Sequence, residues 1–506
     1  MQPTERISAS LKPLRAIDFG YEQARHLLLR AGFGGTPRQI QTLVEWGPEN
    51  SVSHLLNVEK VPFDEVRADA FRRDIKRPPT AEERNAYRMA QRDRDEDALA
   101  RARLRQQEAE RDDRRQIREI QRWWLKRMIE TPRPLEEKMT LFWHGHFATS
   151  YRTIEDSYHM FLQNQLFRRH ALGNAGDLLF AIIRDPAMLA YLDNNDSRRD
   201  RPNENLAREL MELFSLGVGN YAERDIKEGA RALTGYTFED DEFLFNARNH
   251  DNGGKSILGK KGNLDGDGFV SAILEHEACS RFLCAKLYRF FVREIPTAWA
   301  EIDEPTRSVI RALASTMLSN RYAIRPVLKR LFLSEHFFAR GVVGEQIKSP
   351  VDLVVGGVRT LGTPVRDTSI LVDALDLMGQ NILFPPSVKG WDGGRSWINT
   401  STLFVRQNIM NFLLTGRLPQ GYEPMSRTEK FDPSPLLGEL AHADPGAERN
   451  HERVCDYLLR FTLGATPAHA RGTLLAFVSE LGGEVTPDLV SGLLLLITTM
   501  PEYQLC

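Results

Sequence analysis

Two histidines one residue apart, in Leu141-Phe142-Trp143-His144-Gly145-His146-Phe147, are residues of this chain whose types and spacing suggest chemistry. On an extended or turned segment two such imidazoles reach one metal ion, and the glycine between them permits a tight bend. The competing reading is a pair of packed, hydrogen-bonded rings inside an aromatic bracket. That bracket predicts Trp143 and Phe147 buried, with His144 or His146 facing a polar cavity. A second constellation is Asn203-Glu204-Asn205-Leu206-Ala207-Arg208-Glu209-Leu210-Met211-Glu212-Leu213-Phe214. Leu206, Leu210, Leu213 and Phe214 fall on one helical stripe and Gly217 is placed to end the helix. Glu204 and Arg208 lie i,i+4 on the far side, with Glu209 at the stripe's edge. If other helices cover that outer face, it becomes a buried carboxylate row with Asn203 and Asn205 as hydrogen-bonding neighbours, able to bind metal or do acid/base work. If not, it is an ordinary salt-bridged surface.

His250-Asp251, in a glycine-rich loop running to Lys255 and Gly259, offers either a ligand with its orienting carboxylate or an Asp-capped turn. Asn263, Asp265, Asp267 and Gly268 imitate the opening of an EF-hand loop, but Leu274 stands where the twelfth-position acid belongs, so Asp-Gly turns are expected there instead. Taken together, His144, His146 and His250 are the candidate metal ligands, and Glu204, Glu209, Arg208 and Asp251 the candidate catalytic groups. A histidine and carboxylate set without cysteine suits zinc, iron or manganese. The site reading requires His146, Glu204, Glu209 and His250 to converge in one pocket. An Arg208–Glu ion pair is its closest competitor.

The elements that would position these residues are helical. The 506 residues carry 67 Lys+Arg against 69 Asp+Glu, a net charge of −2, with 42% hydrophobic and 27% charged residues. This excludes general disorder, and no basic field is present to draw nucleic acid or acidic membranes. Cys279, Cys284, Cys455 and Cys506 are too few and scattered for a disulfide framework. From Glu82 to Glu119, 22 of 38 residues are charged, eleven of each sign, without Gly or Pro. This predicts one long solvated helix, lying along or projecting from the body. Leu28-Leu29-Arg30 with Gly34, Thr36 and Pro37 returns as Leu458-Leu459-Arg460 with Gly464, Thr466 and Pro467, a helix corner used twice. Residues 249–269 read as loop and 420–450 as linker. The expected architecture is all-α: an N-terminal hairpin region (1–63), the charged helix insertion (64–120), a main body (121–415), a linker (416–450) and a small C-terminal helical unit (451–506). No run of 18 apolar residues and no signal-like start is seen, so a cytoplasmic protein is expected.

Several phrases carry a family resemblance. Asp185-Pro-Ala-Met-Leu with Tyr191-Leu-Asp-Asn, the Asn203–Phe214 motif with Leu216-Gly-Val-Gly, Ala230-Arg-Ala-Leu-Thr-Gly235, Trp143-His-Gly-His-Phe147, His250-Asp251 with Lys255 and Gly259, Gly390-Trp391 and the closing Pro501-Glu-Tyr-Gln-Leu505 resemble, in order and over nearly the whole chain, the bacterial domain-of-unknown-function family 1800. Ala222 stands where the family has a capping Thr, and Tyr236 where it has Trp. Many members of that family are exported, unlike the expectation drawn above. The resemblance implies a neighbour of family 1501, a phosphatase- or sulfatase-like protein, as companion. Three functions therefore stand open: a His/carboxylate enzyme of hydrolase type, with metal-activated water, a metal-free acid/base pair or an oxidative iron site; a non-catalytic helical partner or chaperone of that companion; and an envelope- or carbohydrate-binding protein.

Overall fold

A computed structural model describes residues 10–64, 66–67, 69–418 and 431–506. Among these residues, 22 α-helices and two antiparallel ladders of two short strands each make up the regular structure. The all-α expectation holds, and the buried side chains form one contiguous core running from Phe19 to Tyr503. Among the described residues no helix is long and apolar enough to cross a membrane.

The charged run departs from the single solvated helix expected of it. It forms two helices, Ala81–Asp93 and Glu96–Glu130, broken where Arg94 turns left-handed at φ 55°. Asp95 causes the break, since its carboxylate accepts from the Ala98 amide at 2.9 Å and is worth more as a cap than inside a helix. Glu96 and Asp97 then favour the positive N-terminal end. The first helix starts on a reciprocal Thr80/Glu83 capping box. The second helix is about 50 Å long at 1.5 Å per residue, and one face of its last third is not solvated. Ile117, Ile120, Trp124, Leu125 and Met128 are buried in the core. Asp113 marks the entry point, accepting from the Tyr151 hydroxyl at 2.7 Å and from the Ser157 amide at 2.9 Å.

The stretch 249–269 is likewise more ordered than a loop. Lys255–Ile257 pairs with Lys260–Gly262 across Leu258-Gly259, both at positive φ, as a right-twisted two-residue hairpin demands. Asp265 of the EF-hand-like phrase caps the helix Gly266–Glu275 through the Gly268 amide at 3.0 Å, while Asp267 pairs with Arg184 at 2.7 Å, so these carboxylates face helix amide and guanidinium instead of converging on a cation. The region expected as linker contains the helix Ser434–Ala443; residues 419–430 lie outside the described set.

The repeated phrase turns at both places, Gly34 and Gly464 taking φ of 84° and 81° after helices Tyr21–Ala31 and His451–Leu463. The cap is kept only at the first: Thr36 accepts from the Gln39 amide, whereas the second corner's helix starts at Ala468 without a side-chain cap. The two corners pack on each other. Arg25 donates to the carbonyls of Phe461, at 2.9 Å, and Thr462, and the Arg460 guanidinium lies 4.8 Å over the Tyr21 ring. The N-terminal corner thus closes on the C-terminal helical unit.

Docking of the long helix is testable. Asp113→Ala orphans the buried Tyr151 hydroxyl and Ser157 amide and is expected to cost about 2–4 kcal/mol in denaturant unfolding. Arg103→Ala, on the exposed part of the same helix, is expected to stay within about 0.5 kcal/mol of wild type.

Candidate functional site

The His-Gly-His motif is the last turn of the helix Pro134–His146, not an extended or turned segment. Ten preceding residues without a breaker carry the helix through Gly145. At about 100° per residue, positions i and i+2 diverge around the axis, so His144 and His146 do not face one ion together. Trp143 and Phe147 are both buried, as the aromatic bracket predicts. His144 packs between Trp124 and Trp391, with ring centroids 5.5 Å from each. Its Nε2 accepts from the Leu383 amide at 3.1 Å, so the ring proton sits on Nδ1. Burial pushes this imidazole down to about 3.

His146 takes the opposite tautomer. Its Nε2 lies 2.9 Å from the Phe214 carbonyl, which can only accept, so Nε2 carries the proton. The buried Nδ1 has no hydrogen-bond partner among the described residues. Phe142, Phe147, Phe214 and Phe282 surround the ring. Burial, helped by the nearby Lys286 cation, pushes this imidazole down to about 3 as well. Gly145 does not bend the chain, and the close approach at this turn is made by Gly390 against the Gly145 main chain. Trp391 lies 3.7 Å from where a Cβ on Gly145 would stand, and a Cβ on Gly390, at φ 78°, would fall 2.2 Å from the Gly145 carbonyl oxygen. The Gly390-Trp391 loop is thereby pinned to the histidine turn.

The carboxylate motif forms the helix Asn205–Glu212, with Leu206 and Leu210 buried on it, Phe214 buried just beyond it and Leu213 of the expected stripe half-buried. Its outer face is the ion pair foreseen as the competitor. Arg208 bridges Glu204, at 3.1 Å, and Glu223, at 2.9 and 3.0 Å, so the guanidinium stands between the carboxylates. Glu209 lies apart from that bridge and is half-buried; burial and then neighbouring Glu212 raise its carboxyl, against Arg208 and Lys389. Glu212 accepts from the Tyr221 hydroxyl at 2.6 Å. Asn203 shapes the approach to the helix, bonding the Asn205 amide and the Asp193 carbonyl. After Ala222 half of the family's capping box survives: Asp225 accepts from the Ala222 amide at 2.9 Å.

His250 and Asp251 have separate tasks. His250 Nδ1 lies 2.8 Å from the Thr234 carbonyl. Asp251 takes a two-pronged bond from Arg231, at 2.7 and 3.2 Å, and accepts the Gly253 amide at 2.7 Å. The Arg231 bond holds its carboxyl below the usual range. This is the Asp-capped turn of the two readings, with Arg231 in place of His250 as the carboxylate's partner.

The structure therefore joins His146 to the motif helix through Phe214, and Glu204 to Arg208 and Glu223, while His250-Asp251 belongs to the Thr234–Arg231 corner. Among the described residues no group of three or more His, Cys, Asp or Glu side chains is placed to hold a metal ion.

Glu137 was not apparent from sequence. Fully buried seven residues before His144, it accepts from Trp124 Nε1 at 3.0 Å, Arg127 at 2.6 Å and Arg168 at 2.7 and 2.9 Å. Burial alone would raise its carboxyl, but Arg168 and Arg127 outweigh it and hold it low. The signal was the spacing: residues i and i+7 share a helix face, so Glu137 and His144 both meet Trp124. Asp185 was noticed only as part of a family phrase. It is buried, caps the helix Pro186–Tyr191 through the Met188 amide at 2.9 Å, and burial pushes its carboxyl up to about 6.

Two outcomes follow. Glu137→Gln leaves buried Arg168 without a counter-charge, and Arg127 with Glu136 alone at 3.7 Å, and is expected to cost about 3–5 kcal/mol of stability. For His144 and His146, folded values below the unfolded 6.5 mean that the unfolded chain binds protons the folded chain refuses. Stability accordingly falls as pH drops through the window from about 6.5 to 3. His146→Gln should remove about one proton from the slope of unfolding free energy against pH, measured by urea titrations between pH 6.5 and 4.5.

Comparison with curated proteins and with solved structures gave no match. A protein-family model, described as a protein of unknown function (DUF1800), matches residues 26–505. With the ordered motifs accounted for across that span, the chain belongs to the DUF1800 family.

Proposed function

We propose that this protein is a non-catalytic helical partner, and that its companion is the phosphatase- or sulfatase-like family 1501 protein implied by the family resemblance. The observation that carries this reading is Arg208 seated between Glu204 and Glu223, which satisfies the motif's outer carboxylates without a metal or a substrate. The imidazoles support it, since each of His144, His146 and His250 has a ring nitrogen committed to a backbone group. On this reading the family motifs fix helix register and hold a rigid surface for the companion.

One observation favours a second reading, the His/carboxylate hydrolase. His146 keeps a buried Nδ1 lone pair, and the nearby motif helix carries Glu209 with its carboxyl raised. A zinc, iron or manganese ion on His144, His146 or His250 belongs to this second reading and needs the side chains to regroup.

Elemental analysis of protein purified without a metal-affinity tag, together with co-purification of the companion, separates the two. The partner reading expects well under about 0.1 metal per chain and a stable complex on gel filtration. It also expects Arg208→Gln to lower Tm by no more than about 1–2 °C. Near-stoichiometric metal lost in His146→Ala, with folding retained, would establish the enzyme instead.

A further inference from the structure

Where the two helix corners meet lies a partly open cavity of about 20 Å³ lined by Arg25, Lys348, Asp352, Thr360 and Tyr503 and by the Gly34-Gly35 main chain. That is room for one water-sized guest and for no organic substrate. The glycine is a condition of this wall: a Cβ on Gly34, at φ 84°, would lie 2.4 Å from the Thr360 hydroxyl.

Cations dominate the charge around the cavity, with Asp352 and Cys506 opposing them at Lys348. Arg25, Lys138, Lys348 and Arg406 are all buried. Asp352 is the carboxylate of the lining, and Lys138 is already bound to its Oδ1, with the Ser349 hydroxyl on Oδ2 at 2.9 Å. Lys348 Nζ donates to the Tyr503 carbonyl at 2.6 Å and sits 3.9 Å over that residue's ring. Arg25 donates to Phe461 and Thr462, and Arg406 to the Lys348 carbonyl at 2.7 Å and to Gln504 at 3.1 Å. These neutral oxygens satisfy donors but cancel no net charge. Uncompensated positive charge in a core is costly, and either a proton leaves or an anion enters.

We propose that the cavity is a binding site for a single monovalent anion of the chloride class, held between the Lys348 ammonium and the Arg25 guanidinium. The competing solution is a neutral Lys348 amine. Burial and then Arg25 push that ammonium down to about 7, so the proton is within reach of leaving. An anion beside it would keep the proton on and tie the N-terminal corner, the C-terminal corner and the Lys348 backbone into one unit.

The test uses the full chain. Crystals soaked in bromide are expected to show one anomalous peak in the cavity, in contact with Lys348 Nζ. In solution, at constant ionic strength, replacing gluconate by chloride should raise Tm saturably by about 1–2 °C. Lys348→Met should abolish that halide-dependent shift while keeping the helical circular dichroism. The diffraction arm needs no variant and decides the matter if Lys348→Met does not fold. No anomalous peak, or a wild-type Tm equal in chloride and gluconate, overturns the proposal. A peak without a halide-dependent Tm means an adventitious ion only and overturns it as well.

Discussion

Four helix ends in this fold terminate against guanidinium groups that are buried or half-buried. The last carbonyls of an α-helix lack intrahelical partners and carry the negative end of its dipole, so each end brought into the core needs donors and positive charge. Arginine supplies both from a planar fork. Arg359 serves the long helix at Met128, Ile129 and Thr131, Arg30 serves Glu277–Phe291 at Phe291 and Val292, and Arg25 serves His451–Leu463. Arg366 does the same for Thr400–Thr415 at Leu413. Burial lowers Arg25 and Arg359 to about 10, which still leaves them cationic at neutral pH. Each cap joins segments far apart in the chain, so the caps decide which helix ends meet which faces.

The histidine turn inherits its position from one of these caps. Arg359 seats the end of Glu96–Glu130, which sets the height of Trp124 and Arg127. Those two side chains, with Arg168, receive Glu137 and thereby fix the register of Pro134–His146. His144 then meets the Leu383 amide, and the Gly145 carbonyl meets Gly390 at a distance that excludes a side chain on Gly390. A buried carboxylate with three donors accordingly determines where a loop about 250 residues further along can lie. The candidate site is the visible end of a structural chain that starts at a helix cap.

The sequence made the helices legible because periodicity and capping are local. The stripe of Leu206, Leu210 and Phe214 came out buried, and Asp95 and Asp265 stood in plain view as caps, although charge density and the EF-hand likeness hid their role. What could not be read was which polar residue a distant element covers. Glu136-Glu137-Lys138 looks like any solvated stretch, yet Glu137 is among the most buried carboxylates of the fold. The glycine in His-Gly-His suggests a bend because glycine usually supplies one, whereas here it lies inside a helix and the glycine that the packing requires is Gly390. Arg208 is the informative case: the same i,i+4 pair with Glu204 suits a covered carboxylate row or a salt-bridged surface, and Glu223 from the following helix completes the bridge.

The imidazoles show what separates a ligand-binding histidine from a packed one. A metal-ligating ring commonly donates one N–H to a backbone carbonyl and turns its other nitrogen to the ion. His146 has that arrangement, donating from Nε2 to Phe214, and His250 has its Nδ1 on the Thr234 carbonyl. His144 has the reverse, its lone pair already spent on Leu383. Preparation of single rings is therefore present, and convergence is what the described residues lack. A ring such as His146, with an unanswered acceptor among four phenylalanines, persists because aromatic packing and the Phe214 bond over-determine its pose. The same two forces that hold it would hold it in a partner protein with no chemistry to perform, so the orphaned nitrogen by itself argues for tight packing before it argues for catalysis.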